Sequence, residues 1–402
     1  MKIVLVHNYY GSGAPSGENA VFEAEKALLE RHGHDVIVFT RHSDTLRNKG
    51  ILGTILGGLS TPFNPFTFIK IRRILQAYQP DVIHVHNFFP LISPSVFYAA
   101  TGKKTATVMT LHNYRLFCPA AIPLRDGKVC TLCIDQRCVL PALRFGCYRN
   151  GIIPTVPLAI MTALHRILKT WEKHVDVFIA LSEFQKSLMV RAGLPDNRVF
   201  VKPNFHPHPK KPLPWAERED KVVFLGRLGE EKGVRTLLDA WKIWGPAAPK
   251  LEIIGDGPLA NEIMWRVSHC ELKDRVILHG QLPYEEAQKH LAKAKLLILP
   301  SLWFEGFPMV IRESLALGVP VAASRIGSLP EIVQEGVSGV LFEPGNIEDL
   351  VQKASNIWNN PQILEDLAKG ARKIFEERYT ARVNYKILIE IYQKSIDYRN
   401  NR

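Results

Sequence analysis

The 402-residue sequence has no run of about 18 uninterrupted apolar residues, so no segment reads as a membrane span. The nearest, Gly151 to Leu164, is interrupted by Pro154 and Pro157 and then meets His165 and Arg166. It is too short and too broken to cross a bilayer, though not to lie on one. A secretory apolar stretch is also missing, because Met1-Lys2 leads straight into Ile3-Val4-Leu5-Val6, which reads as a buried strand. Cysteine is scarce at six residues, and the expected setting is a reducing cytoplasm, where disulfides are disfavoured. With 27 Gly and 27 Pro the chain is neither collagen-like nor of low complexity, and 46% hydrophobic content with 22% charge excludes wholesale disorder. The glycine-rich stretch from Gly11 to Asn19 has no Gly-Lys-Ser/Thr and so is not a Walker loop. Its Gly11, Gly13 and Gly17 miss the G-x-G-x-x-G spacing, which argues against a nicotinamide dehydrogenase. No Asp-x-Asp stands after a strand to hold a metal.

What is abundant is positive charge, and it is unevenly placed. Residues 1–200 hold 23 Lys/Arg against 13 Asp/Glu, whereas residues 201–402 hold 28 against 26. The net charge of +12 therefore belongs almost wholly to the first half, where it would suit nucleic acid, an anionic membrane surface or a phosphorylated substrate. No basic stripe is interleaved with aromatics, which speaks against nucleic acid.

Short Val/Ile/Leu-rich runs alternate with helical stretches along the whole chain. Strands are expected over 2–7, 35–40, 81–85, 106–111 and 176–181, then over 221–226, 251–255, 275–279, 296–300 and 319–323. Each is apolar on both faces, the mark of parallel strands buried under helices on either side. Helices are expected over 19–31, 233–244, 309–317 and through 348–396. Five prolines between Lys202 and Pro214 make a linker, so the chain reads as two doubly wound α/β domains. Ligands of such sheets bind beyond the strands' carboxyl ends, and two of them offer a cleft.

Three strand-end segments carry chemistry. After the run ending at Pro300, Glu305-Gly306-Phe307-Pro308 leads into a helix bearing Glu313. The first N–H groups of that helix, at Phe307, Met309 and Val310, form an anion site suited to phosphate. After the run ending at Gly226, Arg227 and Lys232 can reach one phosphate pair, Arg as a fork and Lys as a point charge. Gly255-Asp256-Gly257-Pro258 reads as a plain turn. In the first half, His112 ends a strand beside the glycine-rich loop containing Gly17.

Taken in order, the glycine-rich first loop, His112, Gly-Arg…Glu-Lys-Gly, Gly-Asp-Gly-Pro, Glu-Gly-Phe-Pro…Glu-Ser-Leu-Ala and Gly-Val-Pro-Val-Ala-Ala-Ser resemble the retaining glycosyltransferases of family four. The resemblance is most specific over residues 225–345. It implies the GT-B fold, two Rossmann-like domains facing each other across a cleft. The expected parts are an acceptor-binding domain at 1–203, a Pro-rich linker at 204–220, a nucleotide-sugar domain at 221–375 and a helical tail at 376–402 that crosses back. It further implies that Glu305 contacts donor sugar hydroxyls and Glu313 the ribose. Arg227 and Lys232 would bind the donor diphosphate, with Gly17, Gly306, Phe307, Met309 and Val310 closing around it, and His112 would meet the transferred sugar. Ser16-Gly17 stands where relatives often carry paired glycines. The implied reaction is metal-independent hexosyl transfer with retention, from a UDP- or GDP-linked sugar to a glycan acceptor on a lipid carrier, in bacterial surface polysaccharide synthesis. No catalytic cofactor is required, the nucleotide sugar being a co-substrate. A sugar-nucleotide epimerase of the same fold is the alternative, and a zinc-containing nucleic-acid-binding or scaffold protein a remote one.

Two further features stand open. Cys118, Cys130, Cys133, Cys138 and Cys147 fall within thirty residues, and Cys130-x-x-Cys133 has metal-knuckle spacing. They resemble a Cys-rich insert of some bacterial family members and are either a structural zinc site on Cys118, Cys130, Cys133 and Cys147 or reduced, half-buried thiols. Lys70, Arg72 and Arg73, with Lys103 and Lys104, either meet an anionic membrane or a lipid-diphosphate acceptor, or are scattered solvated charge. The expected location is cytoplasmic, peripheral on the inner face of the cell membrane.

Overall fold

The computed structural model describes residues 1–11, 16–270 and 272–401. Its first strands are β1 (Lys2–Tyr9), β2 (Asp35–His42), β3 (Val82–Asn87), β4 (Ala106–Thr110), the two-strand hairpin β5 (Leu124–Arg125) and β6 (Lys128–Val129), β7 (Val177–Ala180) and β8 (Val199–Val201). The later ones are β9 (Glu219–Leu225), β10 (Lys250–Ile254), β11 (Val276–Gly280), β12 (Ala294–Leu299), β13 (Val321–Ser324) and β14 (Gly339–Phe342). All ten expected strands are present. β5, β6, β8 and β14 were not expected; they are two to four residues long, and β8 and β14 close the edges of their sheets.

The strands form two six-stranded parallel sheets, ordered β2-β1-β3-β4-β7-β8 and β11-β10-β9-β12-β13-β14. The second has the 3-2-1-4-5-6 order of a dinucleotide-binding domain, whereas the first has one strand, not two, on the near side of its reversal. That reversal falls between β1 and β3 in the first sheet and between β9 and β12 in the second. There the connections leave in opposite directions and open a crevice at the carboxyl ends.

Contacts divide the chain into two compact units. One comprises Met1–Pro123, Cys130–Asn204 and Ala381–Arg402, the other Leu124–Val129 and Phe205–Thr380. In the first unit the C-terminal helix Ala381–Asn400 adds Leu388, Ile391 and Tyr392 to a core of Ile3, Leu5, Val82 and Val108. In the second, the helix Val234–Trp244 buries Leu237, Leu238 and Trp241 against Phe224, Ile253 and Ile298. The Trp241 indole N–H is satisfied by the Pro249 carbonyl at 2.8 Å. The Pro-rich stretch is anchored where it enters this unit. Phe205 and His206 are buried, and the His206 N–H donates to the Tyr379 carbonyl at 3.0 Å.

Candidate functional site

In the second unit the loops that follow β9 and β12 meet. The first passes Arg227 and makes one tight turn, Glu230–Lys232; the second passes Pro300 and Glu305 before the helix Met309–Ala316. They touch at Gly233, whose φ is +68° and whose added Cβ would lie 1.9 Å from the Pro300 carbonyl oxygen, so only glycine fits. The Leu302 N–H donates to the Glu231 carbonyl at 2.9 Å. These two ties bring Lys232 Nζ to 2.6 Å from Glu305 Oε1. Ser301 Oγ donates to the same oxygen at 2.7 Å, and the Ser328 hydroxyl donates to the Glu305 backbone carbonyl at 2.8 Å. Glu305 is 4% exposed, and the adjacent ammonium offsets the cost of burying its charge.

The other candidate residues of this unit are placed as follows. Arg227 is exposed at the end of β9. Its loop is buttressed by the Gly255–Pro258 turn: the Leu228 N–H donates to the Asp256 carbonyl at 3.0 Å, and a Cβ on Gly255 would lie 1.9 Å from the Gly226 oxygen. The turn that reads as plain in the sequence is therefore a support for the site. Gly306 and Phe307 are buried, and Met309 and Val310 open the helix. Pro308 is the residue preceding the first turn rather than a member of it, with the Ile311 N–H donating to its carbonyl at 3.1 Å. Glu313 has its own partners, Gln288 Nε2 at 2.8 Å and Arg312 at 3.3 Å. Burial pushes its carboxyl up, against the pull of Arg312.

In the first unit the reversal between β1 and β3 gathers a different set. The Asn87 amide donates to the Asn8 carbonyl at 2.8 Å and clamps the two strand ends. His86 is the last residue but one of β3 and His112 follows β4, with His86 Nδ1 and His112 Nε2 3.1 Å apart. On its other side His86 Nε2 meets Glu25 Oε1 at 3.1 Å, and Glu25 Oε2 accepts from Lys202 at 2.8 Å. Burial alone would raise Glu25, but the Lys202 ammonium and the histidines hold its carboxyl well below the usual range. Burial lowers His86 to about 4 and lowers His112 well below the usual imidazole value, so both rings are neutral at pH 7. The ionised Glu25 can only accept, so Nε2 of His86 carries the proton and its Nδ1 accepts from Nε2–H of His112. The tautomer of His112 is thereby set from Lys202 outward.

His112 lines an open pocket with His86, Met109, Leu111, Asn113 and Arg115. Gly17 begins the helix Gly17–Arg31, and the next residue, Glu18, accepts from the Asn113 amide at 3.0 Å. Ser12 to Pro15 of the glycine-rich loop lie outside the described residues. Sequence reasoning passed over Glu25, His86, Lys202, Ser301 and Gln288. Glu25 had a signal: it shares the helical spacing of Val21, Phe22, Leu28 and Leu29, a carboxylate within the buried stripe.

The cysteines do not fit a zinc ion in this arrangement. Four thiolates around one zinc lie about 3.8 Å apart. Among the described residues, the groups of three or more ligand atoms within 4.8 Å of one another are Glu25, His84, His86 and Glu252, His279, His290, neither containing a cysteine. Burial first, and then the neighbouring thiols, push Cys118 up to about 12 and Cys133 to about 11. Both carboxylates of the other groups already face an ammonium, Lys202 at 2.8 Å and Lys221 at 3.2 Å.

Comparison with known proteins matches the two halves of the chain to two consecutive family models. Residues 17–207 match the one described as Glycosyltransferase Family 4, and residues 207–374 the one described as Glycosyl transferases group 1. An N-acetyl-alpha-D-glucosaminyl L-malate synthase of Bacillus anthracis is 23% identical over 390 residues, covering 94% of this chain and 93% of that protein. A lipopolysaccharide 1,6-galactosyltransferase of Escherichia coli K12 is 30% identical over 185 residues, 44% of this chain and 50% of that one. Among solved structures, the Anabaena protein HepE in complex with UDP-glucose superposes with a TM-score of 0.66 at 20% identity, covering 98% of this chain and all of that one. A lipopolysaccharide outer core galactosyltransferase gives 0.64 at 18% identity, with 97% and 99% coverage. With two parallel six-stranded sheets and these matches along both halves, the chain belongs to family 4, group 1, of the retaining, nucleotide-sugar-dependent glycosyltransferases of GT-B fold.

Proposed function

We propose that the protein transfers a hexosyl group from a nucleoside-diphosphate sugar to a lipid-linked glycan acceptor in surface polysaccharide synthesis. The observation that carries the donor assignment is the Lys232–Glu305 pair at the reversal between β9 and β12. An ammonium has three N–H donors, and one of them is spent on Glu305, which also fixes its direction. The other two serve phosphate oxygens, joined by the Arg227 guanidinium and the amides of Gly306, Phe307, Met309 and Val310. Glu305 keeps an oxygen for donor sugar hydroxyls, and Glu313 holds the ribose. Gly17 is the remaining residue assigned to the diphosphate.

The C1–O bond to the diphosphate breaks as the acceptor oxygen bonds C1 from the same face, which retains configuration. The acceptor proton passes to the departing phosphate oxygen. Negative charge grows on that phosphate, and cations already in place stabilise it more in the transition state than in the ground state. Cationic side chains thus take the part a metal ion plays elsewhere. His112, a neutral imidazole with its tautomer fixed, meets the transferred hexose. UDP is the favoured nucleotide of the donor, since the HepE structure holds UDP-glucose; GDP is the other.

Glu305→Ala and Lys232→Ala should each lower transfer from a UDP-hexose by about 100- to 10,000-fold while the fold persists. A thermal-shift series with UDP, GDP and ADP should show one nucleotide raising the melting temperature of the wild type. Near-normal transfer by both variants would remove the site assignment. Conversion of the donor without an acceptor would instead favour epimerisation.

A further inference from the structure

Residues 45–80, 82–123 and 136–171 of the first unit hold no acidic residue, and the first and last of these stretches matter here. Residues 45–80 carry five Lys/Arg, residues 136–171 another five, and no Asp or Glu stands in either. Inside them, residues 50–69 and 150–164 have no charged side chain of either sign. Such stretches would ordinarily be buried, yet both form surface helices.

The helix Gly50–Ser60 is turned inside out relative to an ordinary amphipathic helix. Its buried residues are Gly53 and Gly57, while Ile51, Ile55 and Leu59 are 83%, 54% and 72% exposed. The glycines explain the orientation. A Cβ on Gly53 would lie 1.8 Å from the Leu46 carbonyl oxygen, and one on Gly57 2.8 Å from Leu46 Cδ1. Small residues hold this helix against the body, and its large ones face out.

A second helix, Ile152–Ile167, extends the same surface. A Cβ on Gly58 would stand 3.3 Å from Pro157, and His165 Nε2 meets the Pro62 carbonyl at 2.8 Å, so the two helices run side by side in the same sense. Ile153, 86% exposed, Val156 and Ile160 face out at helical spacing. On the helix Pro65–Tyr78 one exposed side holds Phe66 and Ile69, then Lys70 and Arg73. Exposed Lys49, Arg149 and Lys169 stand at the ends of the first two helices. Scattered apolar residues are normal on a protein surface, but rows of exposed Ile, Leu and Val on two adjoining helices are not.

We propose that this face docks on an anionic lipid bilayer, its two helices lying in the headgroup plane with their Ile and Leu side chains among the acyl chains. Lys49, Lys70, Arg73, Arg149 and Lys169 would meet the lipid phosphates. Helices of 11 and 16 residues are about 16 and 24 Å long, short of the roughly 30 Å hydrocarbon core, and no helix among the described residues is long and apolar enough to cross. These helices lie on the membrane rather than span it. Charge decides against a second copy of the chain as occupant, because a two-fold contact would oppose two sets of cations with no acid from either stretch. Of the cations considered from sequence, Lys70 and Arg73 serve this face. Arg72 turns inward and donates to the carbonyls of Ala99 and Thr101 at 3.3 and 3.2 Å.

The test is co-sedimentation of the full chain with phosphatidylcholine vesicles, with and without phosphatidylglycerol, at low and high salt. The wild type should pellet with the anionic vesicles at low salt. Ile55→Asn with Ile153→Asn, and Lys70→Glu with Arg73→Glu, should each weaken this at least about tenfold at an unchanged melting temperature. Should the Asn pair not fold, a fluorophore on Leu59→Cys reports the same event by a blue shift on anionic vesicles. The proposal is overturned by absent sedimentation, by binding indifferent to both pairs, or by a dimer that the Asn pair dissociates while vesicles remain unbound. None of these readouts depends on sugar transfer, so the docking face and the donor site stand or fall separately.

Discussion

The two units place their candidate groups in the same way and hold them by different chemistry. In each, the site stands where the sheet order reverses, β1/β3 in one and β9/β12 in the other. The first unit closes a buried chain of polar groups, Lys202 to Glu25 to His86 to His112, in which the titratable groups other than the Lys–Glu pair are neutral rings. The second unit keeps its Lys–Glu pair nearer the solvent and fixes it through backbone, with Gly233 against Pro300 and Gly255 against Gly226. A network of buried side chains makes the first site part of the core. Glycine-pinned loops leave the second site's cation available to a ligand.

Removing one carboxylate from each unit should separate the two designs. Glu25→Gln leaves the Lys202 ammonium buried against an amide, and breaking a buried pair from one side costs about 3–5 kcal/mol. Glu305→Gln leaves Lys232 with 18% of its side chain exposed and should cost about 1 kcal/mol of stability while abolishing most transfer. Urea unfolding of the two variants tests this. Equal destabilisation would break the comparison.

Acid should act on the units unequally, with a somewhat smaller effect. His7 and His86 are lowered to about 4 by burial, so between pH 6.5 and about 4 the unfolded chain takes up protons that the folded one refuses. Their contribution is present above 6.5 and lost as pH falls through that window. At about 1.4 kcal/mol for each pH unit between the two values, His86 alone contributes on the order of 3 kcal/mol. Glu18, raised by burial, opposes them but is one group against two. In the second unit His206, also lowered to about 4, is balanced by Glu313, whose raised carboxyl contributes stability at low pH that is lost as pH rises. Hydrogen exchange corrected for intrinsic rate should therefore show β1, β3 and β4 losing protection between pH 7 and 5 before β9 and β12 do. Equal loss in both sheets would remove the distinction.

Legibility in the sequence followed the same divide. The second unit's site is local: Glu305, Gly306 and Pro308 sit in one loop, and Arg227 and Lys232 in another, each directly after an apolar run. The first unit's network contains a bond between residues 182 positions apart, Lys202 to Asn384 on the C-terminal helix, and no spacing rule reaches that far. His86 was hidden by a different cause, since a histidine near the end of a buried strand looks like packing until its neighbours are known. The inverted helix Gly50–Ser60 was missed because its glycines suggest weakness, and only their close approach to Leu46 shows which face is inside.

The smallest expected effect concerns how much of the second site is held by side chains at all. Ser301 Oγ donates to the same Glu305 oxygen as Lys232, at 2.7 Å, and a hydrogen bond to a charged group contributes about 1.5–3 kcal/mol when nothing replaces it. Here Lys232 still grips that oxygen, and the backbone ties at Gly233 and Leu302 still set the loop. Ser301→Ala should therefore lower kcat/KM by about tenfold or less, near 1.4 kcal/mol, with donor binding and melting temperature little changed. A loss as large as that of Lys232→Ala would mean that Glu305 is oriented by a side-chain network after all, as His112 is in the first unit. A tenfold loss confined to kcat keeps the backbone as the main support and leaves the serine a fine adjustment of the carboxylate.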